Sequence, residues 1–163
     1  MNILIQPALS EDFPAIWEFF RLIIASGDTV SFRPETTLEQ AKEDWIGEGM
    51  RTYKAVTDGV IVGTYILKAN QPGLGSHVAN AGYMVHPQWQ GQGIGAQMVQ
   101  HSLDEAKRLG FKAMQFNLVV ATNTRAVKLY ERFGFKIVGT LPKAFNHLKL
   151  GYVDAYVIHR FLD

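Results

Sequence analysis

Hydrophobic positions along this chain switch repeatedly between strand and helix spacing. Met1 to Gln6 forms a short apolar run stopped by Pro7, which predicts a first strand. Phe13, Ile16, Trp17, Phe20 and Ile24 then fall on one helical face. With Ser10 as cap and Glu11 and Asp12 in the first turn, they predict a helix from Glu11 to about Ala25. After a loop from Ser26 to Thr36, Thr37-x-x-Gln40 reads as a capping box opening a second helix that ends near Gly47 or Gly49. Asp58-Gly59 separates the runs Arg51–Thr57 and Val60–Ala69, which is a hairpin signal. The stretch Asn70 to Gly75 is a turn-rich connection.

A further strand leads into the glycine-rich segment at Gly91, Gly93 and Gly95. Beyond it, Met98, Val99, Leu103, Ala106 and Leu109 mark a third helix, closed by Gly110. Lys112–Val120 is apolar nearly throughout, as a strand covered on both faces should be. Asn123 or Thr122 caps a fourth helix that Gly134 closes, and strands at about Phe135–Thr140 and Val153–Phe161 complete the chain. The order β, α, α, β, β, β, α, β, α, β, β predicts an α/β protein, with one mixed sheet carrying helices on both faces in a single domain over residues 1–163.

Composition narrows the function classes. With 47% hydrophobic and 19% charged residues the chain is an ordinary globular protein. A formal charge of +1 gives no reason to expect nucleic acid or anionic membrane as a partner. The absence of cysteine excludes disulfides, thiolate metal sites and a cysteine nucleophile, and it fits a cytoplasmic location. The five histidines show no paired ligand spacing, so no metal is expected. The start of the chain lacks the basic lead and apolar run of a signal peptide. Ala15–Ala25 is broken by Glu18 and Arg21, too short and too charged to span a bilayer.

The segment Gln90-Gly91-Gln92-Gly93-Ile94-Gly95-Ala96 carries the most chemistry. Without side chains at three positions, its backbone can approach a ligand closely, and the first N–H groups of the following helix lack partners. Those donors and the helix dipole favour an anion such as phosphate. Gly91-x-Gly93-x-x-Ala96 satisfies the spelling of a dinucleotide fingerprint, but the next strand contains no acid for a ribose. No Gly-Lys-Ser/Thr follows, so it is not a P-loop either.

Together with its flanks, the segment resembles the acyl-CoA motif of the GNAT N-acetyltransferases, Gln/Arg-x-x-Gly-x-Gly/Ala, with Gln90, Gly93 and Gly95 at the fixed positions. Ala81–Pro87 is similar to that family's fourth strand, and Asn123–Phe135 to its Asn-x-x-Ala-x-x-Leu-Tyr-x-x-x-Gly-Phe segment. The resemblance implies the GNAT fold, with fourth and fifth strands splayed to admit the pantetheine arm of acetyl-CoA. It implies coenzyme contacts at Met84, Val85, Gln90, Gly91, Gln92, Gly93, Ile94, Gly95, Ala96, Asn123 and Tyr130. Val85 would polarise the thioester carbonyl, Tyr130 would hydrogen-bond the leaving thiolate, and Asn123 would orient substrate or thioester. By spacing alone, Tyr130 reads first as a core residue of an Ala126/Leu129/Phe133 stripe, and it is the motif that reverses this.

Many relatives carry a glutamate on the fourth strand, whereas His77–Tyr83 has no carboxylate here. Water, a weakly basic amine, Glu35 or His77 remain as routes for the proton. His77–Asn80, Phe116–Val119 and Asn123 resemble the subgroup acting on proline analogues such as azetidine-2-carboxylate. That resemblance implies an amine pocket at Asn80, Asn117 and Leu118. Phe32 and Arg33 would add an apolar wall and a cation for a substrate carboxylate. A similar Ser-Phe loop in phosphinothricin and methionine-sulfoximine acetyltransferases keeps a linear amino acid analogue open. The implied partner is a small-molecule amine; a peptide acceptor, or a non-catalytic acyl-CoA sensor, is the alternative. Members often pair through their C-terminal strands, which leaves a homodimer open.

Overall fold

The computed structural model describes all 163 residues. Strands β1 (Leu4–Pro7), β2 (Arg51–Thr57), β3 (Val60–Ala69), β4 (Val78–Val85), β5 (Ala113–Val120), β6 (Lys136–His147) and β7 (Gly151–Phe161) form one seven-stranded sheet in the order β1-β2-β3-β4-β5-β7-β6. Every neighbouring pair is antiparallel except β4 with β5. Helices α1 (Phe13–Ser26) and α2 (Leu38–Trp45) cover one face, where Phe13, Ile16, Phe20 and Trp45 pack with Met84. Helix α3 (Ile94–Arg108) covers the other, with Ile94, Met98 and Leu103 against Val62, Tyr65 and Phe116. Helix α4 (Thr124–Arg132) lays Val127, Leu129 and Tyr130 beside that second core. The mixed sheet with helices on both faces is therefore as expected. No helix is long and apolar enough to cross a membrane.

Three features differ from the sequence expectation. Ser10–Asp12 is a tight turn preceding α1, and the Ser10 side chain caps nothing. Instead the Asp12 carboxylate accepts from the Leu9 N–H at 2.7 Å and pairs with Lys54 at 2.9 Å, while Pro14, which needs no N–H partner, occupies the first helical turn. On α1 itself Phe19 is fully buried and Trp17 only partly so, which rotates the core stripe slightly from the one expected.

The third difference is the C-terminal hairpin. β6 continues past Thr140 to His147, and β7 begins at Gly151. Pro142 did not end β6, because an edge strand has N–H groups that need no partner. The register shifts between Leu141 and Phe145, with Lys143 in the left-handed region at φ 50° and its N–H bonded to Asp154 at 3.0 Å. The hairpin tip reaches α1, where the Leu148 N–H donates to the Gly27 carbonyl at 3.0 Å.

Candidate active site

β4 and β5 pair only at Val78–Ala113 and Ala79–Met114, then separate. The gap between them opens into a cleft of about 1280 Å³ lined by Asn80–Val85, Phe116–Val120, the glycine segment, α4 and the α1–α2 loop. Two features of the strands make this gap chemically active. First, the bonds Asn70 N–H to Val78 and His86 N–H to Val62 set the phase of the β3–β4 ladder. In an antiparallel ladder the bonded residues alternate, so Asn80, Gly82 and Met84 direct their main chain to β3, and Ala81, Tyr83 and Val85 direct theirs into the gap. Second, the β5–β7 register shifts between Phe116 and Val119, placing Asn117 and Leu118 in a bulge at the cleft. Bulges re-aim side chains, and here one turns an exposed asparagine toward the opening.

This phase distinguishes two residues that sequence alone grouped together. Val85 presents its N–H to the gap. Met84 sends its main chain to β3 and its side chain into the α1–α2 core, and Tyr83 takes its place as the second open main-chain position.

The glycine segment sits at the C-terminal end of β4. Gly91 and Gly93 adopt φ 79° and φ 81°, a region a residue with a Cβ enters only at a cost of about 1–2 kcal/mol. Gly93 is the N-cap of α3, with no side chain capping it, and no N–H from Gln90 to Ala96 is donated within the chain. A ribbon of free amides at a helix N-terminus is an anion site. Gly95 has another duty: its Cα lies close to Leu129 and Val85, so a Cβ would sit 3.6 Å and 3.8 Å from them and anything larger would push α3 off α4. Arg125 donates to the Gln90 side chain at 3.4 Å, and Arg125, Lys128 and Arg132 line the same wall. That basic stripe at spacings of three and four on α4 was readable in the sequence and was missed. Gln92 lies outside the cleft lining.

Tyr130 lies deeper, in an aromatic group with Phe116 at 4.8 Å, Phe135 at 5.9 Å and Tyr83 at 6.1 Å between ring centres. It is thus both a packing residue and a cleft residue, and its hydroxyl, bonded to nothing in the chain, is not sealed from solvent. Burial pushes its phenol well above the usual tyrosine value. Such a group donates a hydrogen bond readily and gives up its proton reluctantly. Asn123 lines the cleft and accepts the Ala126 N–H at 3.4 Å, capping α4.

On the opposite wall, Asn80 and Asn117 meet through a residue that the sequence placed in a mere connection. The Asn70 side-chain carbonyl accepts from Asn80 at 3.1 Å and from Asn117 at 2.8 Å, while Gln115 donates to Asn117 at 2.9 Å. Phe32 lines the cleft, edge-on to Phe20 at 5.1 Å and to Trp45 at 6.4 Å, and Leu118 lines it as well. Arg33 does not: it lines a separate depression with Glu43 and Asp44. Glu35 and His77 are exposed and outside the cleft, so neither stands where a base is needed.

Open amides at a helix N-terminus, a strand with free main chain along a gap and a phenol beyond them give the cleft the groups to hold an extended anionic ligand. The comparisons agree with that class: the chain belongs to the acetyltransferase (GNAT) family, whose sequence model matches residues 12–135. N-acetyltransferase aca1 of Schizosaccharomyces pombe is 41% identical over 60% of this chain and 47% of its own. The chain thus spans about half the length of that relative. The L-amino acid N-acetyltransferase AaaT of Escherichia coli is 31% identical over 69% of this chain and 68% of its own. Among solved structures, a GCN5-related N-acetyltransferase from Kribbella flavida superposes with a TM-score of 0.92 at 44% identity, covering 98% of this chain and 97% of its own. A phosphinothricin acetyltransferase from Sinorhizobium meliloti, solved with acetyl-CoA, shares the fold at a TM-score of 0.86 and 18% identity, over 99% of this chain and 89% of its own.

Proposed function

We propose that this protein acetylates the amine of a free amino acid or cyclic imino acid analogue, with acetyl-CoA as donor and direct transfer between the two. The observation that carries the acceptor class is the pair of carboxamides Asn80 and Asn117, tied together by Asn70 at the splay, in the same cleft as an aromatic wall headed by Phe32. Neutral N–H donors and an apolar wall suit a small zwitterion with a compact side chain. The likeness to an L-amino acid N-acetyltransferase supports the same class.

The residues fit acetyl-CoA on structural grounds: free N–H groups from Gln90 to Ala96 for pyrophosphate, with Arg125, Lys128 and Arg132 beside them for charge. Bound there, acetyl-CoA supplies the thioester. The open main chain of Tyr83 and Val85 holds the arm as a neighbouring strand would, and the Val85 N–H stabilises the carbonyl oxygen as negative charge builds on it. One such donor is typically worth about 3 kcal/mol of the barrier. As the amine nitrogen bonds to the carbonyl carbon and the C–S bond breaks, the Tyr130 hydroxyl donates a hydrogen bond to the departing sulfur. Its raised proton affinity makes full transfer more uphill than the roughly 2 kcal/mol that ordinary phenol and thiol values give. The hydrogen bond is therefore its contribution; the acylated nitrogen gives its surplus proton to water, and the thiolate takes one from water.

Thiol release from acetyl-CoA, measured against free amino acids, azetidine-2-carboxylate, methionine sulfoximine and short peptides, tests the reading. Saturable acceleration by the free acids is expected. Acceleration by peptides alone would make this a peptide acetyltransferase. Tight acetyl-CoA binding with no acceleration by any amine would make it a sensor.

A further inference from the structure

The cleft contains a single carboxylate. Among all residues lining it, Asp28 is the one aspartate or glutamate. The residue before it, Gly27, is held in place by its backbone angle and by the hairpin tip. Gly27 ends α1 at φ 60°, and its carbonyl accepts from Leu148 at the tip of the β6–β7 hairpin. A Cβ at Gly27 would lie 2.8 Å from the Leu148 Cβ, so that contact and the backbone angle both require glycine immediately before Asp28. The residues after it, Thr29 to Phe32, line the same wall.

Asp28 is also electrostatically unspent. The ion pairs of the protein are Arg21–Glu18, Lys54–Asp12 and Arg108–Glu105, none of which involves it. The cations of the cleft, Arg125, Lys128 and Arg132, belong to α4 on the other side of the splay, beside the free amides. Arg33, the cation of its own loop, lines the neighbouring depression with two acids. A carboxylate on the cleft wall without a cation of its own is free to pair with one that arrives with the ligand.

We propose that Asp28 is the carboxylate that receives the ammonium group of the acceptor, and so restricts the acceptor to amines that arrive positively charged. This rests on reading the cleft as the site of an amine acetyltransferase. The ammonium docks on Asp28 and gives one proton to water in the open cleft, the neutral nitrogen then attacks, and it sheds its second proton to water as the neutral amide forms. Acetylation then replaces a cation by a neutral amide, which removes the attraction and frees the product. Asp28 accordingly acts in acceptor binding, and its loss shows in KM.

The test compares wild type with D28N and D28E, using azetidine-2-carboxylate and methionine sulfoximine as acceptors at saturating acetyl-CoA. D28N is expected to raise acceptor KM roughly tenfold to a hundredfold, the range for a charge-assisted hydrogen bond, with kcat within about threefold. D28E should recover part of the loss, and acetyl-CoA affinity by calorimetry should be the same in all three. Raising salt from about 0.05 M to about 0.5 M should increase KM for wild type and leave D28N nearly flat, a difference that a structural role would not produce. An unchanged acceptor KM in D28N overturns the assignment, as does an equal loss of acetyl-CoA affinity without rescue by D28E. If wild type itself shows no amine-dependent thiol release, the reading of the cleft fails first, and the inference falls with it.

Discussion

The two walls of the cleft are built in different ways. On the α3–α4 side, binding groups come from consecutive backbone: a run of free N–H groups, two left-handed glycines and a basic stripe one helix away. On the α1–α2 side they are side chains gathered from separate places. Asp28 follows α1, Asn80 lies on β4 and Asn117 in the β5 bulge, the last two joined by Asn70, which follows β3 outside the lining. A backbone site depends on local φ angles and tolerates change elsewhere. A site assembled from side chains depends on every element that positions it. One wall therefore suits a donor shared by a whole family, and the other an acceptor that differs among its members.

The comparison breaks most visibly at Gly93. Gly93→Glu brings negative charge to the phosphate site and should weaken acetyl-CoA binding by at least roughly a hundredfold, about 2.8 kcal/mol, by calorimetric titration. Open space surrounds the position, so the variant should remain folded, carrying only the backbone strain of about 1–2 kcal/mol.

Tyr130→Phe works where the walls meet and should separate binding from chemistry. Loss of a hydrogen bond to an anionic leaving group should lower kcat roughly tenfold to a hundredfold while acetyl-CoA affinity stays constant. The ring contacts with Phe116, Phe135 and Tyr83 are kept, so thermal stability should hardly move.

The smallest effect belongs to the distal end of α3, outside both walls. Tyr53 donates to Glu105 at 2.6 Å, and Arg108 grips the same carboxylate at 2.8 Å and 2.9 Å. Arg108, then Tyr53, hold the Glu105 carboxyl at about 2, while burial and then Glu105 push the Tyr53 phenol up to about 12. Because the carboxyl is depressed, its contribution to stability is complete above pH 4.5 and is lost as pH falls toward about 2. Because the phenol is raised, its contribution is complete below pH 10 and is lost toward about 12. Tyr53→Phe should cost about 1 kcal/mol at neutral pH, remove the alkaline limb of a melting-temperature profile, weaken the acid limb that Arg108 still maintains, and leave turnover intact.

What the sequence disclosed follows the same division. Gln90 to Ala96 was legible because its chemistry is local: glycines fix the angles, and the next residues begin a helix. The α/β order and the capping box at Thr37 were legible for the same reason, the latter confirmed by reciprocal bonds with Gln40 at 3.0 Å and 3.2 Å. Long-range facts were not. Nothing near Asn70 announces that it bridges two strands, and the phase of the β3–β4 ladder, which exchanges Met84 for Tyr83, exists only once the strands pair. Glu35 drew attention as an acid in the correct loop, but the turn of that loop delivers Asp28 to the cleft instead.

The central claim is that acetyl-CoA lies along the free main chain of β4 and over the glycine turn, with the α1–α2 loop left for the acceptor. Amide hydrogen exchange with and without acetyl-CoA tests it residue by residue. The account predicts new protection at Tyr83, Val85 and Gly91 to Ala96, little change at Met84, whose amide is already bonded within the sheet, and none from Asp28 to Phe32 until an acceptor analogue is added. Protection centred on the α1–α2 loop by acetyl-CoA alone, or none at Val85 and the glycine turn, would contradict it.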